Sequence, residues 1–292
     1  MIRSLTVLLA VGAIAHGANA ALEARLKAAI GDFPGTVYLY AKNLDSGATI
    51  GIREDEKVRT ASTIKLPIMA GIFASVAAGK GSFTDEIVLH DSDKVSGSGV
   101  LHEFSDGDKF RVTDVLHMMI VVSDNTATNL LLDHFSIDFI NEYVDQLGLK
   151  NTRALRKVLG NGPPSGFSAA GRVPANERFG LGVSTPRDMV MLLEKLERGE
   201  MVSPEASKQM IEVLKRQQDS DCIRRRLSDL TVANKTGALD RLRSDVGIVY
   251  SKRGRIAMAI TCDNLKETNY TPDNAGALMI ADLAKILVEG IQ

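Results

Sequence analysis

Ile64, Leu66, Ile68, Met69, Ile72, Phe73 and Val76 crowd so closely that a helix through them is apolar around most of its circumference. Such a helix has no face to offer water, so the rest of the chain must be built around it. Yet it opens on two polar residues, Ser62 and Lys65. Pro67 falls early enough to cost little hydrogen bonding, and Gly79 and Gly81 mark the end. Before it, a helix is predicted over residues 22–30 and two β-rich runs over 36–44 and 48–53. Asp45-Ser46-Gly47 between these runs is a hairpin signal. After it, helical periodicity predicts helices over 112–122, 127–135, 137–147, 186–198 and 204–216. The chain then turns β-rich again over 231–238, 245–251 and 255–261, with turns at 240–243 and 252–254 and a closing helix over 274–290. The expected class is α/β, in an α+β two-lobed form. An antiparallel sheet flanked by helices is drawn from both chain ends (about 21–57 and 217–292), and an all-helical lobe fills the middle (about 58–216).

Three short motifs fall in order along this frame: Ser62-Thr63-Ile64-Lys65, Ser123-Asp124-Asn125 and Lys235-Thr236-Gly237. In the first, a hydroxyl and an amine three residues apart share one helix face, so the lysine can activate the serine. The second places a hydroxyl and an amide between two helices. There they can relay a proton and hold a substrate, with Asp124 better suited to capping the following helix. The third sets a cation and a hydroxyl on a strand, suited to gripping a carboxylate. By average residue usage a chain of this length holds roughly one chance Ser-x-x-Lys but only about 0.05 Ser-Asp-Asn, so the weight lies in the ordered trio. The trio describes serine acyl transfer in a cleft between the lobes.

Composition narrows the alternatives. Lys and Arg number 35 against 36 Asp and Glu, which gives no reason to expect a nucleic-acid partner or a polybasic membrane patch. Arg224-Arg225-Arg226 reads as a solvated helix end. Five histidines lack metal-ligand spacing, so neither a metal nor another cofactor is expected. Two cysteines, Cys222 and Cys262, allow one bridge at most. Met1-Ile2-Arg3, an apolar run over 5–15 and Ala18-Asn19-Ala20 fit an export signal cleaved near Ala20, leaving residues 21–292 as an exported catalytic domain, periplasmic or secreted. The apolar run is too short for a stable membrane anchor. Nothing argues against a monomer.

Residues 160–185 carry nine glycines and prolines and little periodicity, a loop long enough to be functional. Thr185, just before Pro186, reads as the cap of the helix that follows.

With all three motifs, their spacing and the β/α/β order, the chain resembles class A β-lactamases and related exported serine hydrolases of the penicillin-binding fold. The resemblance spans essentially all of residues 21–292. It implies Ser62 as the nucleophile, Lys65 as its proton partner and Ser123 as the proton shuttle to the leaving nitrogen. Asn125 would hold the substrate side-chain amide. Lys235 and Thr236 would bind the substrate carboxylate, with Arg243 as helper, although its turn differs in length from the family pattern. The backbone N–H groups of Ser62 and Ala238 would form the oxyanion hole. The substrate implied is a β-lactam or, in the peptidase-like relatives, a cell-wall peptide; an esterase on this scaffold and a β-lactam sensor are the remaining alternatives.

The loop departs from the family pattern. Residues 151–176 contain no acidic residue, and the position of the family's water-activating glutamate, counted back from Pro186, falls near Ala169. Glu177 is the only carboxylate between Asn151 and Pro186, so either Glu177 activates the water or the deacylation base is missing.

Overall fold

The computed structural model describes residues 20–159 and 163–292. The expected export signal lies outside these residues apart from Ala20, which opens helix α1 (20–30). Among the described residues no helix is long and apolar enough to cross a membrane.

Strand β1 (Thr36–Asn43) and β2 (Thr49–Ile52) form the expected hairpin. Short β3 (Val58–Arg59) then leads into a 3-10 turn, Ala61–Ile64, and directly into α2 (Lys65–Ala77). Short strands β4 (Glu86–Val88) and β5 (Lys109–Arg111) pair before α3 (Val112–Val121), α4 (Asn125–His134) and α5 (Ile137–Gln146). Strands β6 (Arg153–Ala154) and β7 (Gly182–Ser184) bracket the long loop. Helices α6 (Pro186–Glu197) and α7 (Pro204–Lys215) complete the helical lobe. Strands β8 (Thr231–Leu239), β9 (Leu242–Ser251) and β10 (Gly254–Asp263) and helix α8 (Ala275–Gly290) close the chain.

The large sheet runs β2-β1-β10-β9-β8 with antiparallel pairing throughout, so both chain ends build it and β8 is an edge strand. Period-two alternation divides its side chains between two cores. On β10, Ile256, Met258, Ile260 and Cys262 face a core shared with α1 and α8, while Ala257 and Ala259 face the helical lobe. The small residues on the second face let α6 lie close, and this larger core continues through Met189, Leu192 and Leu193 to α2. Every residue from Lys65 to Ser75 is buried, as a helix without a polar face requires.

Two details depart from the sequence reading. Arg243 sits in β9 rather than in a turn, because the β8–β9 connection is only Asp240 and Arg241. Arg224 is not a solvated helix end: its guanidinium donates to Asn234 Oδ1 at 2.8 Å and to the Val232 carbonyl at 2.6 Å, tying a 3-10 turn to β8. Cys222 and Cys262 are both buried thiols without a bridge. Short strands β3, β7 and β6 form a small sheet of their own, invisible to periodicity at two or three residues each, which clamps the ends of the loop.

Candidate active site

Ser62 lies in the 3-10 turn that launches α2, and its turn is pressed against the edge strand β8. Contact is so close that a Cβ on Gly237 would stand 3.1 Å from the Ser62 nitrogen and 2.9 Å from the Thr60 carbonyl, so only glycine fits there. Ala61 just before it has φ +47° and Ser123 has φ +56°. Both are left-handed conformations that cost a residue with a side chain on the order of 1 kcal/mol or more, and both sit at motif serines. The Ser62 hydroxyl makes no hydrogen bond among the described residues and does not cap the helix.

Beneath this turn two lysines converge on one hydroxyl. Lys65 Nζ donates to the Ser123 carbonyl at 2.7 Å, to Ser123 Oγ at 3.2 Å and to Asn125 Oδ1 at 3.1 Å. Lys235 Nζ donates to the same Ser123 Oγ at 3.0 Å and to the Thr236 carbonyl at 2.7 Å. Lys65 and Lys235 are both fully buried, and among the described residues neither has a carboxylate within ion-pairing distance. Burial, helped by the Lys235 charge and opposed by Asp124, holds the Lys65 amine well below the usual lysine range. Burial likewise brings Lys235 down to about 8 against the pull of Asp219 and Asp245. A hydroxyl placed between two amines with such weakened basicity has a path for a proton on either side.

The Ser-Asp-Asn segment is held by its aspartate. Asp124 Oδ1 caps α4 by accepting from the Ala127 N–H at 2.8 Å, while Oδ2 accepts from Val100 and Leu101 at 2.6 and 2.8 Å. The loop bearing Gly99 therefore lies directly on the motif, where a Cβ on Gly99 would come within 2.4 Å of Asp124 Cα. Asn125 opens α4 instead of preceding it; its Nδ2 donates to the Ser96 carbonyl at 3.1 Å, leaving one N–H for the cleft. Thr185 caps α6 by accepting from the Asp188 N–H at 3.1 Å.

Above the lysines opens a cleft of about 310 Å³. Ser62, Asn125 and Ala238 line it from the scaffold, and Arg156, Val158 and Glu177 from the loop. Lys65, Lys235 and Thr236 lie underneath, buried. Arg243 does not line the cleft: it donates to the carbonyls of Leu239 (2.8 Å), Leu242 (2.7 Å) and Asn269 and stacks under Tyr270, so three of its five N–H donors are engaged away from the cleft. The guanidinium groups that line the cleft are Arg59, Arg156 and Arg178. Sequence reasoning gave none of the three a place in the site, since a lone arginine carries no motif.

Glu177 is exposed, on the 3-10 turn Pro174–Phe179, and among the described residues it forms no ion pair. Ala169 is exposed and does not line the cleft; its backbone N–H donates to Asp138 Oδ1 on α5 at 2.7 Å. The loop residue beside the cleft whose backbone is pinned to the motif helix is Val158. Its N–H donates to Asn129 Oδ1 at 2.8 Å and its carbonyl accepts from Asn129 Nδ2 at 3.0 Å.

The chain is similar to known proteins over nearly its whole length. Residues 21–291 match the sequence model described as the beta-lactamase enzyme family. A solved β-lactamase from Sphaerobacter thermophilus DSM 20745 is 30% identical, with a TM-score of 0.79 over 92% of this chain and 95% of that one. A solved protein named PBP-A is 25% identical, with a TM-score of 0.76 over 92% and 94% of the two chains. Beta-lactamase L2 of Stenotrophomonas maltophilia is 26% identical over 224 residues, 74% of this chain and 69% of that one. This chain belongs to the β-lactamase enzyme family and is a serine β-lactamase-type hydrolase.

Proposed function

We propose that the protein opens the β-lactam amide through an acyl-Ser62 intermediate. The Ser123 hydroxyl, shared at 3.2 and 3.0 Å by two buried amines directly beneath the Ser62 turn, carries this reading. The Lys65 amine swings from Asn125 to Ser62 and takes its proton as Oγ attacks the lactam carbonyl. The N–H groups of Ser62 and Ala238, fixed by the packing of β8 on the turn, receive the oxyanion without reorganising. Ser123 passes a proton to the lactam nitrogen as the amide breaks and is reprotonated from the lysine side. Lys235 and Thr236 hold the substrate carboxylate, and the free N–H of Asn125 holds the side-chain amide.

Water then cleaves the ester, with Glu177, the carboxylate that lines the cleft, as its base. A second reading has its own observation: the loop places apolar Val158 and Leu159 on the cleft, while Glu177 is exposed to bulk water. A site so lined acylates quickly and deacylates slowly, as a penicillin-binding-type hydrolase does. Export with cleavage near Ala20 and action as a monomer complete the proposal.

The test is nitrocefin turnover joined to mass spectrometry, on protein from the exported fraction whose mature mass should begin at Ala21. Multiple turnovers with little adduct, replaced in Glu177→Gln by a trapped acyl-enzyme, support the first reading. A single stoichiometric burst with a stable Ser62 adduct supports the second. Turnover that Glu177→Gln leaves unchanged removes Glu177 from the mechanism.

A further inference from the structure

A second cavity of about 350 Å³ adjoins the cleft and shares Arg59, Arg178 and Phe179 with it. Its remaining walls include Tyr38, Lys57 and Asp263. Three cations line it against one carboxylate, and that carboxylate is already engaged. Asp263 accepts two bonds from the Arg59 guanidinium, through Nε at 3.1 Å and through Nη2, and a third from the Asn264 N–H at 2.6 Å. Glu56, on the loop before β3, lies 4.0 Å from Arg53. Lys57 and Arg178 have no acidic partner within ion-pairing distance among the described residues. Arg178 is nevertheless held in place, its guanidinium 4.5 Å from the centre of the Phe179 ring, and Phe179 is buried in the satellite core with Leu155 and Val183.

Two unpaired cations, one of them ordered by stacking, therefore face a cavity continuous with the reaction cleft. Both are solvent-exposed, so neither charge is neutralised by the protein, and together they set up a positive field that favours an anion entering from the cleft. We infer that this cavity is a subsite for a carboxylate carried on the far end of the substrate's side arm, bound by Lys57 and Arg178. The inference rests on the acyl-Ser62 reading above and adds a substrate class to it, side arms that end in an acid.

The test uses two penicillins with the same nucleus, one with a 4-carboxybutanoyl side arm and the other with its terminal carboxamide. Second-order rates of Ser62 acylation are followed by mass spectrometry at low ionic strength. The acid should react about twofold to fivefold faster than the amide, the range for a partly exposed charge contact, and the advantage should shrink as salt is added. Lys57→Glu and Arg178→Gln should each bring the acid-to-amide ratio to one or below. Lys285→Glu, an equal charge change on α8, should leave the ratio as it is. A ratio of one in the unaltered protein, or a ratio that survives both substitutions, overturns the subsite alone. Absence of any adduct with either penicillin overturns the acyl-Ser62 reading and the subsite with it.

Discussion

The scaffold half of the cleft and the loop half are built by different means. On the scaffold side, Ser62, Ser123 and Lys235 come from a helix start, a helix connection and a strand edge, each locked by core packing and several hydrogen bonds. On the loop side, much of what holds residues 155–182 together is the loop's own backbone. Leu155 and Leu181 bond at 2.9 Å, Ser168 N–H reaches the Leu155 carbonyl at 2.9 Å, and a three-residue satellite core of Leu155, Phe179 and Val183 sits beneath. Chemistry that needs two amines stripped of their ordinary basicity requires the first kind of construction, because only a core can exclude water from a lysine. Placing a water and a side arm needs only the second. The loop is accordingly where members of one fold are free to differ, and it is where this chain departs from the class A pattern.

The largest expected effect breaks the scaffold half outright. Ser62→Ala should abolish covalent labelling by a fluorescent penicillin while the melting temperature scarcely moves, since the hydroxyl makes no hydrogen bond that folding would lose. Labelling that persists at another residue would show that the nucleophile has been misassigned.

A smaller but still large effect belongs to the lysines. Lys65→Ala should slow acylation by about 10²- to 10³-fold, the usual worth of a positioned proton acceptor. In the unaltered protein, acylation should rise with pH as Lys65 loses its proton and fall again near pH 8 as Lys235 loses the charge that grips the substrate. Lys235→Arg should move the alkaline limb upward, because a guanidinium keeps its charge. A rate flat across this range would mean that neither amine titrates in the working site. The same depressed value has a consequence for folding. The unfolded chain holds the Lys235 proton up to about 10.5 and the folded chain only to about 8, so this group makes stability rise with pH across that window.

How much of this was legible beforehand follows the same division. The helix through Ile64 and Val76, the sheet from both chain ends and the three motifs could be read because each rests on local periodicity or on a rare string of residues. The convergence of Lys65 and Lys235 on one hydroxyl could not be read, because it depends on three segments far apart in sequence. The positive φ of Ala61 and Ser123 was hidden as well, since neither residue type advertises a left-handed conformation. Arg243's place could not be read either: sequence places it beside the third motif, and cross-strand pairing with Ala238 sets its guanidinium among backbone carbonyls. Glu177 was picked out by elimination, a weak method where the chain's path is unknown. Spacing from Pro186 pointed near Ala169, whose backbone is bonded to α5 away from the cleft lining, whereas Val158, fixed to α4 by Asn129, lines the cleft along with Glu177.

The loop's contrast between Glu177 and Val158 supplies the mildest test of the comparison, and one that adds a function instead of removing it. Val158 is half-buried at the cleft, and its backbone position is set by two bonds to Asn129 that do not involve its side chain. A carboxylate there would be anchored to the motif helix and would face the region of the ester. Val158→Glu should therefore speed hydrolysis of the acyl-enzyme by about tenfold or more, within the range of a positioned general base, while leaving acylation within a few-fold. The check is the decay of the penicillin adduct by mass spectrometry, with Val158→Gln as the uncharged control. If Gln accelerates decay as much as Glu, the gain comes from opening the apolar wall to water and not from base catalysis. If neither changes it while Glu177→Gln halts turnover, the loop already carries its base on the far rim, and the water approaches the ester from the side of Phe179.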